Sequence, residues 1–139
     1  MRRGLTLLEI TIVIAIIALV GAIATPALLH RLDRARVRHA TSEILATLGL
    51  ARSTALARGS PVTVTFDSAR ATVTVAAGAD TLITRMLGAI YGVGLRSNRD
   101  SLVYGPTGLG FGAANQSVVV SRGGAADTVI ISRLGRVRH

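Results

Sequence analysis

The sequence predicts an α+β protein in which one long N-terminal helix packs on a C-terminal antiparallel β domain. Three observations predict it. Leu5 to Leu29 is a run of 25 residues whose only charged side chain is Glu9. Beyond Leu29 the apolar residues recur every three or four positions as far as Gly59 and Pro61. From Val62 onward the recurrence shortens to two, in short runs parted by glycine and aspartate.

The helix is expected over about Thr6 to Arg58. A bilayer core takes about 20 apolar residues, so 5–29 is long enough to span it. That half is apolar on all sides, as a segment buried in lipid or in a bundle must be. Pro26 sits inside it, removes one helical hydrogen bond and predicts a kink or local melting. In the second half, 30–58, Leu32, Ala40, Ile44, Leu48, Ala51 and Ala55 form one apolar stripe. Arg31, Arg34, Arg38, Glu43 and Arg52 fall largely off it. Gly59 followed by Pro61 is a stop signal.

The rest, 59–139, reads as strands and turns. Val62–Phe66 and Ala71–Val75 alternate in period two around Asp67-Ser68, a hairpin pattern. Gly78-Ala79-Asp80 is the next turn, followed by a strand over Thr81–Leu87. Shorter strands are expected at Gly92–Leu95 and Leu102–Tyr104. Ser117–Ser121 and Thr128–Ser132 form a second hairpin around Arg122-Gly123-Gly124. Gly88, Gly92, Gly94 and the stretch Gly105–Gly110 read as turns, and no internal repeat is present.

Composition narrows the function. The 139 residues hold no Cys, so disulfides and thiolate metal sites are excluded. All 16 basic residues are Arg, against 7 acids, a balance that favours polyanionic partners such as nucleic acid, anionic lipid or polysaccharide. Aromatics are limited to Phe66, Tyr91, Tyr104 and Phe111, too few for a base-stacking platform. His30, His39 and His139 show no metal-type spacing with carboxylates. Gly105-Pro-Thr-Gly-Leu-Gly110 lacks the Gly-Lys-Ser/Thr of a phosphate loop. The serines have no visible base partner. No enzyme, no metal and no cofactor is expected.

Glu9 carries the most information. A charge at the centre of a membrane helix costs about 2.5–3.5 kcal/mol, somewhat less near an end, so it calls for a partner. An ordinary secretory signal with an A-x-A-like site at Ala22-Ile23-Ala24 is the plain alternative. Glu9 within the apolar run, and continuation of that run to Leu29, argue against it. The Arg2-Arg3 pair alone gives little support to twin-arginine export.

Met1-Arg-Arg-Gly-Leu-Thr-Leu-Leu-Glu9 closely resembles the leader of type IV pilins and type II secretion pseudopilins. The resemblance implies cleavage by a prepilin peptidase between Gly4 and Leu5, with N-methylation of Leu5; the family most often has Phe there. Residues 1–4 are then a cleaved leader and 5–29 the membrane and filament-core helix. Glu9 is implied to pair with the terminal amine of a neighbouring subunit during assembly. Many family members also carry a proline at the place of Pro26. The peptidase acts on the cytoplasmic side, which resolves the conflict between Arg2-Arg3 and the Arg31–Arg38 cluster under the positive-inside rule. The chain is thus expected in the bacterial inner membrane, single-pass, N-terminus cytoplasmic and C-terminal domain outside, and in a pilus or pseudopilus.

Ala57-Arg58-Gly59, Val62–Asp67, Gly92-Val93, Gly105-Pro-Thr-Gly108 and Gly135-Arg136 further resemble the GspH/FimT branch of minor pseudopilins. That likeness spans nearly the whole chain and implies two antiparallel sheets leaning on the helix. The tail Gly135-Arg136-Val137-Arg138 is similar to the Gly-Arg-x-Arg end of FimT-type competence pilins, which is linked with DNA binding. In an extended tail Arg136 and Arg138 point to one side and can engage neighbouring phosphates; Arg133 is a third candidate. The plain alternative is a solvated basic end. Arg31, Arg34, Arg36 and Arg38 are read as lipid-headgroup contacts, while Arg96 and Arg99 have no sequence link to the tail. The implied partners are other pilin or pseudopilin subunits, the prepilin peptidase, the inner membrane and, through the tail, DNA. The implied function is a minor pilin contributing to DNA uptake, or alternatively a type II secretion pseudopilin that assembles without DNA.

Overall fold

The structure, a computed structural model, describes residues 6–111, 116–132 and 136–138. Its elements, in order, are α1 (Leu7–Arg58), β1 (Val62–Asp67), β2 (Thr72–Ala77), β3 (Asp80–Met86), α2 (Leu87–Tyr91), β4 (Gly94–Ser97), β5 (Ser101–Tyr104), β6 (Gly110–Phe111), β7 (Gln116–Arg122), β8 (Ala125–Ile131) and β9 (Val137–Arg138). The chain divides into two units, Met1–Leu32 and Asp33–His139.

The first unit holds the N-terminal part of α1. Among the described helices, α1 is long and apolar enough to cross a membrane. From Thr6 to Leu32 every described side chain is exposed, isoleucines and leucines included. Helical hydrogen bonds satisfy the backbone within the segment itself, which is what lets apolar side chains face lipid. α1 is continuous through Pro26, so the local melting expected there does not occur.

In the second unit α1 supplies Val37, Ala40, Thr41, Ile44, Thr47, Leu48, Ala51 and Ala55 to the core. The alanines let sheet side chains approach the helix closely, and Ile44 and Leu48 fill the space between. Leu32, expected on this stripe, is 46% exposed and belongs to the first unit. The buried stripe instead begins at Val37, so the sequence period outruns the packed face.

Two antiparallel sheets complete the core, in the orders β3-β2-β1-β5-β6 and β4-β7-β8-β9. Alternation does the sorting: Val62, Val64, Phe66, Val73 and Val75 point inward from the first sheet, and Val118, Val120, Val129 and Ile131 from the second. Both expected hairpins are present, as β1/β2 and β7/β8. At the β1–β2 turn Asp67 Oδ1 accepts from the amides of Ala69 and Arg70, at 2.9 and 3.0 Å. The Arg70 amide bond is the main reason the Asp67 carboxyl lies below its ordinary range.

Two strand expectations need correction, and with them the turns expected at Gly88 and Gly94, which lie inside a short helix and at the start of a strand. Leu87 does not end a strand; it opens α2, whose C-terminus is closed by Gly92 at φ +63. The strand expected at Gly92–Leu95 is displaced to Gly94–Ser97, because Gly92 is used as that cap. The stretch Gly105–Gly110 does turn, with Gly105 and Gly108 amides donating to Leu109 and Gly105 carbonyls. It then returns as β6, which pairs with β5.

Candidate assembly site and basic surface

The assembly residues fall at the start of α1. Gly4 and Leu5 lie outside the described residues. Thr6 caps the helix: its Oγ1 accepts from the Glu9 amide at 3.2 Å, and its carbonyl accepts from Glu9 and Ile10 at 3.1 and 3.2 Å. Thr6 and Glu9 thus have the spacing of a capping box. The Glu9 carboxylate sits in the first turn, where the helix dipole favours negative charge. It is exposed and makes no ion pair among the described residues. Pro26 lacks an amide hydrogen, which leaves the Ala22 carbonyl without its helical donor. One residue earlier, Thr25 Oγ1 donates to the Gly21 carbonyl at 2.7 Å.

The arginines divide into held and free ones. Arg122 is held most firmly. Its Nε donates to Asp33 Oδ1 at 2.8 Å, and its Nη1 donates to the carbonyls of Tyr91 and Gly92 at 3.0 and 2.6 Å. One guanidinium therefore ties α1, the C-terminus of α2 and the end of β7. Glycine suits position 92 because its φ is left-handed, and a Cβ there would push Arg122 Nη1 off the two carbonyls it binds. Arg85 Nε pairs with Glu43 Oε1 at 3.2 Å without hydrogen-bond alignment. Tyr91 donates its hydroxyl to Glu43 Oε2 at 2.7 Å and stacks on His39. Arg70 pairs with Asp67 at 3.1 Å.

Arg31, Arg34, Arg36 and Arg38 are exposed on α1. Arg34 and Arg38 line a groove with Val37, Asp127 and the β7–β8 turn. At the other end of the chain Arg133 and Gly135 lie outside the described residues. Arg136 exchanges hydrogen bonds with Ser132: its carbonyl accepts from the Ser132 amide at 2.8 Å, and its amide donates to Ser132 Oγ at 3.1 Å. Val137 and Arg138 then pair with Ile131 and Ile130 as β9. Val137 turns toward the core, and Arg136 and Arg138 on either side of it are exposed. The described end of the tail is thus an edge strand with both arginines on the outward face.

The sequence pattern placed Arg122 in a turn and did not single out Asp33. The one available signal was Asp33 itself, a single acid among Arg31, Arg34, Arg36 and Arg38. Among the described residues no group of three His, Asp or Glu is arranged to hold a metal.

A membrane-length helix that continues into a domain of two antiparallel sheets defines a pilin-like subunit. Residues 40–135 match the family described as Type II transport protein GspH. The chain belongs to that GspH family. It is 46% identical over 59 residues to the type II secretion system protein H of Xanthomonas campestris pv. campestris. That stretch is 42% of this chain and 35% of the relative, about a third of the relative's length. The crystal structure of the Pseudomonas aeruginosa type IV minor pilin FimU is similar, with a TM-score of 0.64 at 18% identity over 76% of this chain and 88% of that one. The minor pseudopilin EpsH of the Vibrio cholerae Type 2 Secretion System gives 0.59 at 14% identity, over 74% and 94%. These two likenesses show the fold. Subunits of this family are structural components, not enzymes.

Proposed function

We propose that this chain is a minor pilin or pseudopilin of the bacterial inner membrane, cleaved after Gly4, N-methylated on Leu5 and drawn into a filament through Glu9. Residues 5–29 pack in the filament core, 30–58 continue the helix into the domain, and 59–139 form the domain outside the membrane. The observation that carries this reading is the bare N-terminal half of α1, with exposed apolar side chains and one unpaired carboxylate near its start. Such a surface needs lipid first and neighbouring helices afterwards. A charge left unpaired in an apolar packing is costly, so pairing Glu9 with a neighbour's Leu5 amine also fixes axial register. Glu9→Ala is expected to leave cleavage intact, read by mass spectrometry of the mature N-terminus, and to abolish incorporation into sheared filaments. Normal incorporation of the variant sinks the proposal.

A second reading rests on the outward placement of Arg136 and Arg138: the domain also holds DNA, as a subunit serving uptake. Phosphate contacts of this kind are indifferent to base sequence and weaken steeply with salt. With the full chain in nonionic detergent, Arg136→Ala plus Arg138→Ala should shallow the log-affinity against log-salt slope on duplex DNA by about 1.8. No DNA binding by the parent at low salt leaves an assembly subunit alone, as in a secretion pseudopilus.

A further inference from the structure

We propose that the outward face of the whole second sheet, and not its C-terminal edge alone, is a docking surface for duplex DNA, with Arg96 on the opposite edge strand as a second anchor. This rests on the DNA-binding reading above.

The register places the residues. Across the sheet, Arg96 of β4 lies beside Val119 of β7, which lies beside Thr128 of β8. Two positions along β7, Ser117 pairs with Ile130, which pairs with Arg138 of β9. Leu95, Val118, Val120, Val129 and Ile131 are buried on the inward side, so alternation sets Arg96, Ser117, Val119, Thr128, Ile130 and Arg138 on the outward one. No acid shares that face: Asp127, the one acid in these four strands, pairs with inward-pointing Val120. Arg96 is exposed, and the ion pairs of the described residues engage Arg70, Arg85 and Arg122 instead.

Spacing supports a duplex. β4 and β9 are three strand steps apart, about 14 Å, and Arg96 and Arg138 are offset by two residues, about 7 Å. Their Cα atoms are therefore about 16 Å apart before sheet twist. That span lets one guanidinium reach each phosphate lip of a major groove about 12 Å wide. The Ser117 and Thr128 hydroxyls between them are further phosphate donors. Stacking on bases is not available, because no aromatic side chain lies on this face, so the contacts are to backbone phosphates alone. The shared lack of acids and the two-edged placement of positive charge together fit a rigid polyanion.

The test uses the full chain in nonionic detergent and a duplex of mixed sequence over a salt series. Arg96→Ala is expected to shallow the slope by about 0.9, the loss of one phosphate contact. Arg96→Lys is expected to restore it, and Arg70→Ala, on the other sheet, to leave it unchanged. An unaltered circular dichroism melt for Arg96→Ala shows that a fold defect is not the cause. A parental slope in Arg96→Ala, while Arg136→Ala plus Arg138→Ala lowers it, overturns the two-edged surface and leaves DNA binding at the tail. Absence of salt-dependent duplex binding by the parent overturns both readings. Binding to phosphatidylserine vesicles but not to duplex DNA does the same and assigns the basic face to lipid.

Discussion

Arg122 shows how much one side chain can organise. Its guanidinium meets a carboxylate on α1 and two carbonyls at the end of α2, all within 3.0 Å. Asp33 and Arg122 are about three-quarters buried, so screening by water is limited. Hydrogen bonds to charged groups contribute about 1.5–3 kcal/mol each, and a partner left unpaired keeps its desolvation penalty. Arg122→Ala is therefore expected to destabilise the domain by about 2 kcal/mol. Arg122→Lys should recover only part of that, because a single ammonium cannot present the same fork. Denaturant midpoints of the three proteins check this; an Arg122→Ala midpoint equal to the parent's contradicts it. The sequence marks Asp33 as a lone acid in a basic run but not its partner, which lies 89 positions away. Glu9 was legible for the opposite reason: its isolation is a local property, visible in any window around it.

At the scale of elements, what the sequence disclosed depends on how each element is made. α1 announces itself through a long apolar run, a periodic stripe after it and a glycine–proline stop. β1/β2 and β7/β8 do so through alternation on both sides of a turn. α2 does not: five residues, Gly88 among them, are too few for a period, and helices that short are not stable on their own. It exists because Leu87 is buried and because Gly92 and Arg122 satisfy its last carbonyls. β9 is a different case. A two-residue strand carries no pattern, and the sequence left open whether the tail is extended or a solvated end; it is extended over 136–138 because Ser132 and Val137 anchor it to β8. The basic face divides in the same way. The Arg136–Arg138 spacing was readable, whereas Arg96 joins them only through the β4-β7-β8-β9 order, which is long-range information.

Taken whole, the molecule puts its two tyrosines to different uses with the same consequence for pH. The hydrogen bond to Glu43 raises the Tyr91 hydroxyl above its ordinary value, with burial adding to it. Burial raises Tyr104, opposed by the charge of Arg52. A raised value means the folded state holds these protons more tightly than the unfolded one. The associated stability is fully present below about pH 10 and is lost as pH rises above it. With no Trp in the chain, tyrosinate absorbance reads this directly. At pH about 10 the folded protein should show clearly less than half ionisation, rising when denaturant is added. Half ionisation of both residues in the folded state contradicts it.

The tie between Asp33 and Arg122 also bears on mechanics. Asp33 is the first residue of the unit that carries the sheets. In the assembly proposed above, a pull arriving through α1 meets, at the start of that unit, a guanidinium that ties Asp33 to the end of β7. That one side chain makes three bonds at once, to α1 and to the end of α2, so this part of α1 cannot be drawn away from the sheets without breaking a carboxylate–guanidinium pair. A subunit anchored by its helix and loaded through it gains its first resistance to extension at the place where the load arrives.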